Sequence, residues 1–244
     1  MLPSNAFGAI AARSLIYWLR DRRYIVNMLV VPVAGVLAVL PLLVAGFPER
    51  LVMVVPVLVM ALFFGWLPHN DVAYDSTAFW IHVASGVGGV ADRLGRLVPI
   101  VLVSVPTLAI ALSVTLTIMG DWSLLPSLIA TVACLFLCGL GLSSIVSVSA
   151  PYAVSRPGDS PFQQPQRSSG HGAFGHATAL LGALALSLPT LWFLYLEITR
   201  GGHATQTFWT GIVTGGGVLV IGLLLGSFIY SRRGERLMEF VETN

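Results

Sequence analysis

Four side chains in one polar stretch invite a test for metal chemistry: His69, Asp71, Asp75 and His82. Imidazole and carboxylate ligate divalent ions, but this spacing is loose, and a metal site needs orienting partners behind each ligand. The same side chains serve as helix caps and turn acceptors, so we expect no metal. Cys134 and Cys138 lie four apart on one helix face in an apolar run. Two sulfurs with no third ligand do not complete a four-ligand site, and they read as small packing residues rather than a disulfide framework. Ser143, in Gly141-Leu142-Ser143, has a faintly nucleophile-like context, yet no histidine in the last two apolar runs could serve as its base. The chain has 13 basic residues besides histidine, all arginine. A Walker A loop needs a lysine on the phosphates, so any ATP hydrolysis must come from another chain. The expectation is a protein with no catalytic residue and no cofactor.

The elements around these residues are set by hydropathy. Of 244 residues, 56% are hydrophobic and 10% charged, against about 25% charged in a soluble domain. A net charge of +2 gives no reason to expect nucleic acid. Crossing a hydrocarbon core of about 30 Å takes roughly 20 helical residues. Six runs qualify: 24–46, 51–67, 97–119, 123–147, 177–196 and 208–230. The first is too long for a signal-peptide core and is read as a retained span. The fold expected is an all-α membrane protein of six transmembrane helices, with residues 24–230 as the transmembrane domain and 231–244 as a tail.

Threading these runs sorts the arginines. Eleven fall on one side: Arg13, Arg20, Arg22, Arg23, Arg93, Arg96, Arg156, Arg167, Arg232, Arg233 and Arg236. Only Arg50 and Arg200 fall on the other. Positive charge is retained on the cytoplasmic face, so both termini are expected in the cytoplasm of a multi-pass plasma-membrane protein. No Asp, Glu, Lys, Arg or His lies deep in any run, which argues against proton-driven transport.

Four features stand out in this frame. Within residues 1–23, Phe7, Ile10, Ala11, Leu15 and Trp18 share one helical face and Arg13 and Arg20 another, the pattern of an amphipathic helix on the cytoplasmic leaflet. In the cytoplasmic connection 68–96, Asp75-Ser76-Thr77 reads as a helix N-cap. Phe79, Trp80, Val83 and Val87 follow as an apolar arc, and Gly86, Gly88 and Gly89 end the helix. Residues 151–176, rich in Pro, Gly, Ser and Gln, read as a flexible loop. In the sixth run Gly211, Gly215, Gly222 and Gly226 share a face that lets a neighbouring helix approach closely, within the bundle or across a dimer. Pro32, Pro41, Pro56, Pro99, Pro106, Pro126 and Pro189 each predict a kink inside a span.

This layout resembles the membrane subunit of type-2 ABC transporters. The resemblance covers essentially the whole chain. It is carried by the amphipathic segment RSLIYWLRDRRY, the first cytoplasmic loop HNDVAYDSTAFWIHVASGVGGVADRLGR, the proline-rich loop RPGDSPFQQPQ and an outer connection of re-entrant length before span six. It implies that residues 1–23 form the connecting helix and that the helix around Ser76–Val87 is a coupling helix on a separate ABC ATPase subunit. Asp75, Phe79, Trp80, His82 and Val83 would then lie at or near that contact, with Asp92, Arg93 and Arg96 bracing the loop against span three. Permeases with such text often carry two six-span halves, so a second half, identical or different, is an implied partner alongside membrane lipid. The competing expectation is a non-transporting scaffold that recruits a cytoplasmic protein through the same loop.

Overall fold

The structure, a computed structural model, describes residues 3–155 and 172–243. Within them the chain is helical, and six helices or helix pairs are long and apolar enough to cross a membrane. Helix α1, Ala6–Arg20, starts where the Asn5 side chain accepts from the Gly8 amide at 2.9 Å. Asp21, in extended conformation, closes α1 and opens α2, Arg22–Leu37, by accepting from the Arg23 amide. The first span breaks at Ala38 before α3, Val39–Val44. Pro41 is the cause, because its missing N–H cannot meet the Leu37 carbonyl.

Helix α4, Glu49–Trp66, is the second span and runs through a 3-10 turn into the short α5, Asp71–Tyr74. A second 3-10 turn, Ser76–Phe79, leads to α6, Trp80–Ala84, which Gly86 ends at φ +59°. The long helices α7, Gly89–Met119; α8, Leu125–Ser149; α9, Gly172–Arg200; and α10, Ala204–Thr243, supply the other four spans.

Several details differ from the expected layout. Pro126 is the second residue of α8, where a missing N–H costs nothing, so it makes no kink. The turn between α9 and α10 is only Gly201-Gly202-His203, with both glycines at positive φ. It is too short for a re-entrant element. The expected loop 151–176 ends early, because α9 begins at Gly172; residues 156–171 of it lie outside the described residues. The expected tail is a continuous extension of α10 as far as Thr243.

Helix α8 is the axis of the bundle, with α4, α9 and α10 against it. Backbones approach closely where glycines face each other. A Cβ on Gly139 would sit 2.7 Å from Gly65 Cα. Along α10, a Cβ on Gly211 would meet Ala130 O at 2.6 Å, on Gly215 Cys134 Cα at 2.9 Å, on Gly222 Gly141 C at 2.5 Å and on Gly226 Ser144 O at 2.5 Å. The glycine stripe therefore faces α8 within the same chain. Cys134 and Cys138 are buried where α8 meets α9, with Cys134 Sγ 3.5 Å from Ser187 Oγ.

Candidate docking site at the arginine-rich end

The chain folds so that Arg13, Arg23, Arg93, Arg96 and Arg233 gather at one end of the bundle, tied to the 67–88 connection and to the end of α8. Arg50 lies at the opposite end, paired with Asp121 at 2.8 Å. At the arginine-rich end the apolar face of α1, expected to lie on the leaflet, packs on protein instead. Ile10, Ala11 and Trp18 are buried against protein. A Cβ on Gly95 of α7 would meet Ile10 Cγ2 at 2.7 Å, and Trp18 lies 5.1 Å from the Tyr24 ring of α2. Ile16 and Leu19 remain exposed.

A buried ion network holds the connection. Asp75 accepts from Arg13 at 2.7 Å and pairs with Arg96. Arg96 also donates to Asp92 at 3.0 Å and to the Asp71 carbonyl at 3.1 Å. Asp92, fully buried, pairs with Arg93 and lies 2.6 Å from His82 Nδ1. Arg93 in turn donates to Ser147 Oγ at 2.6 Å, and its guanidinium stands 5.6 Å from the Tyr230 ring centre. Alternating signs let each charge be desolvated without being left unpaired, the condition under which buried charge is tolerated. The network joins α1, the connection, α7, α8 and α10.

The expected cap at Asp75-Ser76-Thr77 is therefore corrected in one respect. Asp75 closes α5, and its carboxylate is held by two guanidiniums instead of capping the next helix. The side chains of Ser76 and Thr77 lie outside the described residues. The expected apolar arc is also corrected. Phe79 is fully buried, against the Tyr230 ring at 6.0 Å. His82 is buried on Asp92, and Val83 is half-buried. Trp80 turns outward with 53% of its surface exposed, and Ile81 beside it with 44%. A five-residue helix wedged between a charged and an apolar partner has only one free face, and Trp80 and Ile81 occupy it. Beside Ile81 a half-open cleft of about 310 Å³ separates α6 from α1, lined by Ala6, Ala9, Ile10, Arg13, Ile81 and Ser85 among others.

The remaining polar residues are engaged separately. His69 stacks on Trp66 at 4.1 Å and lies 2.8 Å from the Tyr152 hydroxyl. Asn70 donates to the Tyr152 carbonyl at 2.9 Å and accepts from its amide at 3.2 Å. Burial, helped by Tyr74, pushes the Tyr152 phenol up, so it stays a neutral hydroxyl. Arg23 donates to the Ser155 carbonyl at 2.5 Å and to the Asp21 carboxylate. Burial disfavours ionised Asp21, but the Arg23 hydrogen bonds outweigh it and hold the carboxyl below its ordinary range. Among the described residues no three His, Cys, Asp or Glu side chains converge on a point that could hold a metal.

Sequence reasoning placed Arg13 on a polar helix face without finding its partner, and missed Ile81 and Ser147 as parts of this site. No spacing rule links Arg13 to Asp75 across 62 positions. No protein-family model matches the chain, nor does any curated protein or solved structure.

Proposed function

We propose that this chain is the membrane-spanning subunit of an ATP-driven exporter of the type-2 ABC class, and that the Trp80–Ile81 face of α6 is where a separate ATPase subunit docks. The observation that carries the reading is a short helix braced on its other faces that nevertheless leaves a tryptophan and an isoleucine exposed on the protein surface. An exposed aromatic anchor on a rigid support, beside a concave slot, is the anatomy of a binding hot spot. The arginine distribution argues that this face lies in the cytoplasm, where ATP is available. The missing lysine argues that the hydrolytic site lies on the partner.

In this reading the expected contact set divides. Trp80 and Ile81 touch the partner. Asp75, Phe79, His82, Val83, Asp92, Arg93 and Arg96 position α6 from behind. The short α9–α10 turn is a departure from the layout that the resemblance implies, so the reading rests on the connection at the other end.

The test is co-purification of the detergent-solubilised protein with ATPases that carry a Walker A loop, followed by hydrolysis with and without this chain. Trp80→Ala should leave folding intact and abolish both capture and stimulation. If no ATPase is captured by the wild-type protein, the transporter reading fails. Capture of a protein without a nucleotide site on the same face would instead make the chain a scaffold.

A further inference from the structure

Helix α10 runs well beyond what a span requires. Its 40 residues make about 60 Å of helix, roughly twice the hydrocarbon thickness. Over residues 231–240 the exposed positions are polar or charged: Ser231, Arg232, Arg233, Glu235, Arg236 and Glu239. The other face is apolar. Tyr230 and Leu237, seven apart and so on one side, are buried with Val72, Phe79 and Val148, and Met238 and Phe240 add to that cluster. The extension is thus an amphipathic continuation of span six, laid against the segment that ends in α6.

Its grip on its neighbours is specific. Phe79 meets the Tyr230 ring edge-on at 6.0 Å. A Cβ on Gly89, the first residue of α7, would lie 2.9 Å from the Ser227 carbonyl carbon. Arg233 donates to the Ser149 carbonyl at 3.1 Å. The segment 75–84 therefore has α1 at Asp75 and Ala78, α7 at His82 and α10 at Phe79. Farther along, α10 meets α8 through four glycines that present no side chain. Ala130, Leu137 and Ser144 of α8 seat their side chains against these glycines, and small sliding of helices packed in this way is the shear type of motion.

We propose that the extension of α10 beyond Tyr230 is a lever through which movement of α6 reaches span six, passed on at the Phe79–Tyr230–Leu237 contact. It rests on the reading of α6 as the docking element, and it adds a second route beside the α7 network. A partner that displaces Trp80 and Ile81 displaces Phe79 with them, since all three lie within one turn. The continuous helix then carries the shift from Leu237 along the glycine track.

Hydrogen exchange on the full chain in nanodiscs tests the lever without any partner. Coupling between two sites is reciprocal. Phe79→Ala should raise exchange over 222–231 of α10, and Leu237→Ala should raise exchange over 76–88, each by at least about tenfold, because truncating a buried leucine or phenylalanine costs more than that factor. The middle of α8 should stay protected, which shows that the fold survives. Leu237→Met, which keeps the volume, should restore exchange to the wild-type level. If either truncation stays local, the lever is wrong. With a bound ATPase, Leu237→Ala should lower stimulated hydrolysis at least fivefold at unchanged affinity, and unchanged stimulation overturns the lever. Failure to find an ATPase would sink the docking reading, and the exchange result would still decide the lever.

Discussion

Asp92→Asn is the sharpest perturbation of the buried network. Asp92 has no exposed surface and accepts from three side chains: His82, Arg93 and Arg96. Its Oδ1 takes His82 at 2.6 Å and Arg96 Nε at 3.2 Å; its Oδ2 takes Arg93 Nε at 2.9 Å and Arg96 Nε at 3.0 Å. An asparagine replaces one of these oxygens with an NH₂ donor, so either orientation sets donors against donors. Arg96 keeps Asp75, but Arg93 is left with the neutral Ser147 hydroxyl and the Tyr230 ring. Leaving one buried charge without its counter-ion costs about 3–5 kcal/mol, a large share of a total stability of about 5–15 kcal/mol. For a chain of this size that corresponds to a melting temperature roughly 6–20 °C lower. The assay is thermal unfolding in detergent, followed by circular dichroism. Asp121→Asn, at the exposed Arg50 pair on the opposite end, is the control and should not move the midpoint. The double variant Asp92→Asn/Arg93→Met removes the stranded cation and should recover part of the loss. An Asp92→Asn midpoint within about 1 °C of wild type, or a double variant less stable than the single one, would refute the argument.

Other outcomes follow from the same geometry. Gly222→Ala places a Cβ 2.5 Å from the Gly141 carbonyl carbon and should cost about 1–3 kcal/mol in the same assay, whereas Gly217→Ala, with no atom within 4 Å, should be neutral. Asn70→Ala removes both bonds to the Tyr152 backbone and should cost about 1–3 kcal/mol for the groups left unpaired. Because the folded carboxyl of Asp21 is held below its ordinary value, it stabilises the protein above about pH 4 and loses that contribution as pH falls through the folded value. The difference in midpoint between wild type and Asp21→Asn should therefore shrink below about pH 4; a difference constant with pH would contradict the Arg23–Asp21 pairing.

The six spans were legible in the amino-acid sequence for a simple reason: lipid demands long uncharged helices, and that demand is local to each segment. The asymmetry of arginine was likewise written along the chain. The break at Pro41 could be placed from one residue, whereas Pro126 could not, since its effect depends on whether the helix has already begun. The role of the 68–96 connection was only half legible. Periodicity put Phe79 and Trp80 in one apolar arc, but which of the two is buried depends on α10, whose Tyr230 lies 151 positions beyond Phe79. The Arg13–Asp75 and Asp75–Arg96 pairs were equally hidden, because ion pairs between distant segments leave no trace in spacing, whereas Asp92–Arg96 is an i,i+4 pair that spacing does offer. The glycines of span six announced a close approach, and only the folded chain says that α8 makes it. Segment-level properties, helix and hydropathy, are settled by neighbours in sequence. Whether a side chain near the helix ends is buried, braced or offered to a partner is settled by what arrives from elsewhere in the chain.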